Sequence, residues 1–330
     1  MKHFTGIADV NNPSKLVEEA LTLKKNPHQF EHLGKHLCLV LFFFNPSLRT
    51  RLSTEKAGAN LGMQVITMNA QQGWKIEFQD GAVMNADRAE HIREAAGVIS
   101  QYAHIIGLRT FPGLTDRELD YADQVLHQFM KHATVPVISL ESAIRHPLQS
   151  LADWMTIEEH KPIKRPKVVL TWAPHPKALP QAVPNSFVEW MKHAGVDLHI
   201  THPEGYALAP EFTAGLPATT DQEEALRGAH FVYAKNWSSY EDYGQVLPVS
   251  ENWTVTAEKM ALTDKGFFMH CLPVRRNVVV EGAVLDSSRS LVLQQANNRT
   301  YAAQAVLRRM ILNLKDDSGQ YRFAQRHLFE

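Results

Sequence analysis

Short unbroken apolar runs alternate along the chain with stretches in which apolar residues recur at helical spacing. Residues 37–44 (LCLVLFFF) are unbroken and read as a strand buried on both faces. Residues 63–68, 104–108 and 135–139 read the same way. Between them the spacing predicts helices over 48–61, 86–101 and 117–132. A second series follows a charged, proline-marked break at Lys164-Arg165-Pro166, with strands expected at 167–172, 196–200, 230–234 and 266–270. Its helices are expected at 184–193, 221–227 and 256–262. Strand–helix alternation of this kind builds mostly parallel sheets covered by helices, so the fold class is α/β with two doubly wound sheets. A helix over 148–160 bridges the two series. A last one over 299–314 carries Ala302, Ala305, Val306, Met310 and Leu314 on its apolar positions, and the tail to Glu330 is polar.

Composition narrows the class. The 330 residues suit about two domains, expected at 1–147 and 148–298. With 44% hydrophobic and 21% charged residues, the chain is an ordinary globular one. A net charge of -1 argues against a dedicated nucleic-acid binder. Two cysteines, Cys38 and Cys271, make neither a disulfide framework nor a four-cysteine zinc site. The start of the chain lacks an apolar signal core, and no run approaches the roughly 18 apolar residues of a membrane span. The expected location is cytoplasmic.

Open parallel sheets bind ligands beyond the carboxyl ends of their strands, which directs attention to the polar residues there. After the first strand comes Asn45-Pro46-Ser47-Leu48-Arg49-Thr50-Arg51. A capped helix start with two hydroxyls and two arginines reads as an anion site, most plausibly for phosphate, or as a capped helix with solvated arginines. Arg109 leaves the third strand, and Glu141 follows the fourth. His146 and Gln149, three apart at a helix start, can face one ligand and would suit a carbonyl with a neighbouring NH2, unless His146 merely caps the helix. In the second series His175, Lys235 and the His270-Cys271-Leu272-Pro273 segment follow strands, and Asn298-Arg299 opens the expected last helix. Cys271 reads either as a nucleophile without a specified base or as part of a strand end whose carbonyls bind an NH2. Dinucleotide, P-loop, serine-elbow and zinc-protease motifs are absent. His28, His32 and His36 are spaced by four, but Pro27 and Gly34 interrupt a helix there, so no metal is expected.

Three segments, Ser47-Leu48-Arg49-Thr50-Arg51, His146-Pro147-Leu148-Gln149 with Ala152-Asp153, and His270-Cys271-Leu272-Pro273, resemble the aspartate/ornithine carbamoyltransferase family in order and separation. The resemblance covers nearly the whole chain. It implies two α/β domains with the C-terminal helix (about 299–330) returning to the first. It also implies a homotrimer with active sites shared between subunits. Carbamoyl phosphate would bind Ser47, Leu48, Arg49, Thr50, Trp74, Arg109, His146, Gln149, Cys271, Leu272 and Arg299. The catalytic groups would be Arg109, His146, Thr50 and Arg49, with no cofactor.

The acceptor is read from the same resemblance. The Asp-x-x-x-Ser-Met-Gly segment of ornithine enzymes is missing after Lys235, and Gly73-Trp74-Lys75 is similar to the branch acting on Nα-acylated ornithine. Ala89 stands where acetylornithine enzymes carry glutamate and succinylornithine enzymes proline. A short neutral side chain leaves room for two more carbons and removes a repelling carboxylate. The expected reaction is therefore carbamoyl transfer to N-succinyl-L-ornithine in arginine biosynthesis. N-acetylornithine, then ornithine, are the alternative acceptors, and a silent anion-binding homologue the non-enzyme alternative. Ala89, Glu141, His175, Lys235 and Arg275 are the implied acylornithine contacts. Gln304 occupies the position of a modified lysine in the acetyl branch, so no modification is expected there.

Overall fold

A computed structural model describes residues 1–70, 73 and 75–314. Trp74 and the tail beyond Leu314 lie outside the described residues, so the expectations for both stay untested. Two separate parallel sheets organise the chain, in the order the apolar runs imply. The first contains β1 (Cys38–Phe43), β2 (Gln64–Asn69), β5 (Ile105–Arg109) and β6 (Val137–Glu141), ordered β2-β1-β5-β6. The second contains β7 (Lys167–Trp172), β8 (Asp197–Thr201), β9 (Ala218–Thr219), β10 (Phe231–Lys235) and β11 (Phe267–Met269), ordered β11-β10-β7-β8-β9. Two-residue strands β3 (Ile76–Glu77) and β4 (Glu90–His91) pair with each other alone.

The helices are α1 (Pro13–Lys25), α2 (Leu48–Asn60), α3 (Ile92–Tyr102), α4 (Arg117–Tyr121), α5 (Gln124–His132), α6 (Pro147–His160), α7 (Ala182–Met191), α8 (Pro210–Thr213), α9 (Gln222–Leu226), α10 (Ala257–Ala261), α11 (Gly282–Leu285) and α12 (Val292–Asn313). Helix α6 is buried from Pro147 through Ile157, because it lies between the sheets rather than on a surface. Helix α12 packs on α6, α2 and α1, so the last helix returns to the first sheet's layer. One apolar cluster runs from Leu39 and Leu41 of β1 through Trp154 and Leu307 to Val168 and Leu170 of β7. The two sheets are thus joined by a shared core.

Several expectations need correction. Strand β2 is not buried on both faces: Gln64, Ile66 and Met68 are exposed, because β2 is the sheet's edge. The helix expected at 117–132 is broken at Asp123, whose backbone is left-handed (φ 49°). The helix expected from residue 86 begins at Ile92, and the preceding residues form an irregular segment leading into β4. The last helix starts at Val292 rather than Arg299. Its N-cap, Leu291, makes no side-chain cap bond, so no local signal marks that start. Arg299 therefore reaches the site from mid-helix, and the favourable dipole of a helix start does not apply to it.

Candidate active site

Ser47 caps α2. Its Oγ accepts from the Thr50 N–H at 3.4 Å and donates to Thr50 Oγ1 at 2.9 Å. Arg299 Nη2 also donates to Thr50 Oγ1, at 2.6 Å. Thr50 Oγ1 thus receives two hydrogen bonds, which leaves its own hydroxyl proton available to a ligand. Arg49 is half-buried, and its buried Nε has no protein partner. Arg51 instead turns along the helix to Glu55 at 2.9 Å, so only one of the two motif arginines faces the cluster. Leu48 is exposed and offers the site its backbone alone. Burial pushes Arg299 down to about 10, which still leaves it a cation at neutral pH.

Arg109 and Glu141 end adjacent strands and meet in a buried ion pair. Arg109 Nε and Nη2 donate to Glu141 Oε2 at 3.1 and 2.7 Å, while Nη1 donates to the Asn45 carbonyl at 2.9 Å. The two residues were expected to contact different substrates. Their pairing ties together the ends of β5 and β6.

His146 is the N-cap residue of α6, yet its side chain makes no capping bond. Burial, then the cations Arg299, Arg109 and Arg49, hold its pKa well below the ordinary histidine value, so the imidazole is neutral. Arg299 Nη2 lies 3.4 Å from Nε2. An arginine can only donate, so a hydrogen bond at this contact makes Nε2 the acceptor and puts the proton on Nδ1, although Glu141 Oε2 at 3.7 Å from the same nitrogen favours the reverse. That Nδ1 is buried without a protein partner, a free donor in the cleft.

Gln149 Nε2 donates to Asp153 Oδ1 at 2.7 Å, and its buried Oε1 has no partner. Gln295 Nε2 of α12 donates to the same Oδ1 at 2.6 Å, and its Oε1 accepts the His270 N–H at 3.0 Å. Complete burial pushes the Asp153 carboxyl up to about 7. Beyond β11 the chain turns through Cys271 and Leu272. The Leu272 N–H donates to His270 Nδ1 at 2.9 Å, and Leu272 itself is left-handed (φ 57°). Such a non-glycine conformation costs on the order of 1 kcal/mol and collects at functional turns. Burial raises the Cys271 thiol, against the pull of Lys235, Arg49 and Arg299, which disfavours a thiolate there.

On the second sheet, Lys235 is buried and its Nζ donates to the Asn236 carbonyl at 2.9 Å. Burial lowers its pKa, against the attraction of Cys271 and Glu141. Arg275 Nε donates to His175 Nε2 at 3.0 Å, and His175 Nδ1 meets the Lys177 carbonyl at 2.9 Å. Trp172 and Trp237 are core residues: each indole donates to a carbonyl, of Trp237 and Tyr206 respectively. Ala89 is exposed, its N–H bonding the Lys75 carbonyl beside β3 and β4. It shares no hydrogen bond with the cluster among the described residues.

The structure thus brings Ser47, Arg49, Thr50, Arg109, Glu141, His146, Gln149 and Arg299 to one cleft at the sheet ends. Gln295 is a buried polar residue of that cleft which residue patterns did not single out, and Asp153, quoted there only within a motif, carried no assigned role. Asp153 was legible as a carboxylate on the apolar face of a helix, one turn after Gln149. Gln295, 142 positions from Asp153, carries no local signal. His28, His32 and His36 do not share a helical face: Glu31–Gly34 is a 3-10 turn, and His28 leans on Glu31 at 3.8 Å. Among the described residues no three His, Cys, Asp or Glu side chains gather to hold a metal. No helix among them is long and apolar enough to cross a membrane.

Guanidinium groups around a capped helix start, a neutral imidazole and an unpartnered amide oxygen suit an anion with further hydrogen-bonding groups. Residues 2–159 match the carbamoyl-P binding domain of aspartate/ornithine carbamoyltransferases, and residues 180–310 match their Asp/Orn binding domain. The chain belongs to the aspartate/ornithine carbamoyltransferase family and is a carbamoyltransferase with that family's two-domain fold. It is 49% identical to N-succinylornithine carbamoyltransferase of Bacteroides thetaiotaomicron, over 96% of this chain and 100% of that one. It is 36% identical to N-acetylornithine carbamoyltransferase of Xanthomonas campestris pv. campestris, over 94% and 98%. Among solved structures, acetylornithine transcarbamylase complexed with acetylcitrulline superimposes with a TM-score of 0.87 at 35% identity, covering 94% of this chain and 99% of that one. An N-acetyl-L-ornithine transcarbamylase variant with one glutamate changed to alanine, complexed with carbamyl phosphate and N-succinyl-L-norvaline, matches equally well: TM-score 0.87, 35% identity, 94% and 100% covered.

Proposed function

We propose that the chain transfers the carbamoyl group of carbamoyl phosphate to the δ-amine of N-succinyl-L-ornithine, giving N-succinyl-L-citrulline and phosphate. The observation that carries the donor half is the free-donor set at the end of the first sheet: the Thr50 hydroxyl, His146 Nδ1 and Arg49 Nε. The acceptor half rests on the 49% identity to a succinylornithine enzyme and on Ala89.

In this reading the phosphate lies at the start of α2, against Ser47, Leu48, Arg49, Thr50 and Arg299, with Trp74 closing the site from a neighbouring subunit. The carbonyl oxygen takes hydrogen bonds from Thr50, His146 and Arg109, and the NH2 donates to Gln149 Oε1 and to the main-chain oxygens of Cys271 and Leu272. The unprotonated amine attacks the carbonyl carbon, and its nitrogen passes one proton to the departing phosphate as the new C–N bond becomes an amide. The negative charge that develops on the carbonyl oxygen is met by these preset donors, and the C–O bond to phosphate then breaks with its electron pair leaving on phosphate. His146, held neutral, donates without giving up its proton. Glu141, His175, Lys235 and Arg275 hold the acylornithine, the cations facing its carboxylates.

Of the limits 1–147 with the last helix and 148–298, the first is supported by the change of sheet across α6, while the second falls inside α12, which starts at Val292. A homotrimer agrees with apolar side chains left exposed beside the donor end: Leu48 and Leu52 one turn apart on α2, and Ile66 and Met68 on edge strand β2. A cytoplasmic place in arginine biosynthesis completes the reading. Incubation with carbamoyl phosphate and succinylornithine should release phosphate with a carbamoylated product of matching mass. Turnover of acetylornithine with none of succinylornithine would overturn the acceptor.

A further inference from the structure

The buried chain Gln149–Asp153–Gln295–His270–Leu272 crosses from the first sheet's site to the turn after the second sheet's last strand. Each link is short: 2.7 Å from Gln149 to Asp153, 2.6 Å from Gln295 to Asp153, 3.0 Å from the His270 N–H to Gln295, and 2.9 Å from the Leu272 N–H to His270. Asp153, Gln149 and Gln295 are almost wholly shielded from solvent, where an unmade hydrogen bond is expensive.

The direction of each bond follows from what its partner can do. Asp153 Oδ1 accepts, whether or not the carboxyl carries a proton on Oδ2, so both glutamines must turn their NH2 groups toward it. For Gln149 this leaves Oε1 facing away, buried and unpartnered. For Gln295 it leaves Oε1 to take the His270 N–H, which anchors the residue before Cys271. Without Asp153 the Gln149 amide would have no reason to choose one face, and a flipped amide would present a donor to an incoming NH2.

We propose that Asp153 and Gln295 are positioning residues that hold the Gln149 amide oxygen and the Cys271–Leu272 turn as a paired acceptor for the NH2 of carbamoyl phosphate. The pair reads that NH2 against acyl phosphates that lack one. The inference rests on the carbamoyl-phosphate reading of the cleft and adds the source of its selectivity. Neither residue touches the substrate. Gln149 acts through Asp153, and the turn acts through Gln295.

Carbamoyl phosphate, acetyl phosphate (a methyl in place of the NH2) and inorganic phosphate distinguish this from a purely structural role. Their dissociation constants are measured for the full chain and for Asp153→Leu, Asp153→Asn and Gln295→Met, with kcat and KM alongside. The wild type should prefer carbamoyl phosphate to acetyl phosphate. Asp153→Leu and Gln295→Met should each lose roughly tenfold on carbamoyl phosphate, the worth of about one hydrogen bond, with acetyl phosphate and phosphate nearly unchanged. Asp153→Asn keeps an accepting oxygen at the Oδ1 position and should retain the preference. If Asp153→Leu does not fold, Gln295→Met and Asp153→Asn carry the comparison. Equal losses on all three ligands, unchanged carbamoyl-phosphate affinity in the apolar variants, or an Asp153→Asn variant as impaired as the leucine would each overturn the proposal. A wild type that binds phosphate but does not distinguish carbamoyl from acetyl phosphate would also overturn it. A wild type that binds neither acyl phosphate would instead remove the donor reading beneath it.

Discussion

Arg109 and Glu141 are a charge pair that neither residue could sustain alone, since both are more than nine-tenths buried. Removing one partner of such a pair leaves an uncompensated buried charge and costs about 3 kcal/mol or more. Arg109→Ala should therefore lower turnover about a thousandfold and also lower the melting temperature. Adding Glu141→Gln should recover part of the stability and none of the turnover, which paired melting and rate measurements would check. Asp153 makes a second residue-scale prediction. Its carboxyl titrates near 7 when folded but near 3.8 in its ordinary environment. With the folded pKa raised, its contribution is fully present below about pH 4 and is lost as pH rises toward 7. Stability relative to Asp153→Asn should thus fall across that window by on the order of 1 kcal/mol per pH unit, as denaturant midpoints of the two proteins would reveal. His146 works in the opposite direction: burial among cations keeps it neutral, so its role as a donor does not switch within the ordinary range.

At the scale of elements, the strands were the most legible part of the chain. Residues 167–172 form the strand their apolar run predicts, and α2 follows β1 with Ser47 as its cap. What the residue pattern missed has local causes. The start of α12 lacks a capping side chain, and β3 and β4 are too short to leave a period. The site was legible where a motif follows a strand directly, as at Ser47–Thr50 and His146–Gln149. It was not legible where it depends on a distant partner, as Gln295 does on Asp153, while Arg299 was singled out as the start of a helix and stands instead in its interior. Gln304 shows the same limit. Buried in α12, it donates to the Pro27 carbonyl at 2.6 Å and accepts from Asn60 Nδ2 at 2.9 Å, so it ties α12 to the end of α2. Ala89 lies on an exposed segment outside any helix, just before β4, and a side chain there can meet a ligand without disturbing helical packing. Ala89→Glu should raise KM for succinylornithine more than for acetylornithine, and an unchanged ratio of the two would place the acyl pocket elsewhere.

For the molecule as a whole, a net charge of -1 conceals a local concentration of cations. Arg49, Arg109 and Arg299 converge on one cleft, balanced there by Glu141 and otherwise available to an anion. Outside that cleft, the edge of β2 and the Leu48–Leu52 face of α2 present apolar surface that a single subunit leaves uncovered. In the proposed homotrimer this surface is covered, so Leu52→Glu should shift sedimentation toward smaller species and reduce activity with it, because the proposed site borrows a residue from its neighbour. The central claim concerns the acceptor, and its most direct test is kcat/KM for N-succinylornithine, N-acetylornithine and ornithine, measured side by side with saturating carbamoyl phosphate. The account predicts that succinylornithine exceeds acetylornithine by at least about tenfold and that ornithine is barely used. An equal or greater value for acetylornithine would contradict it.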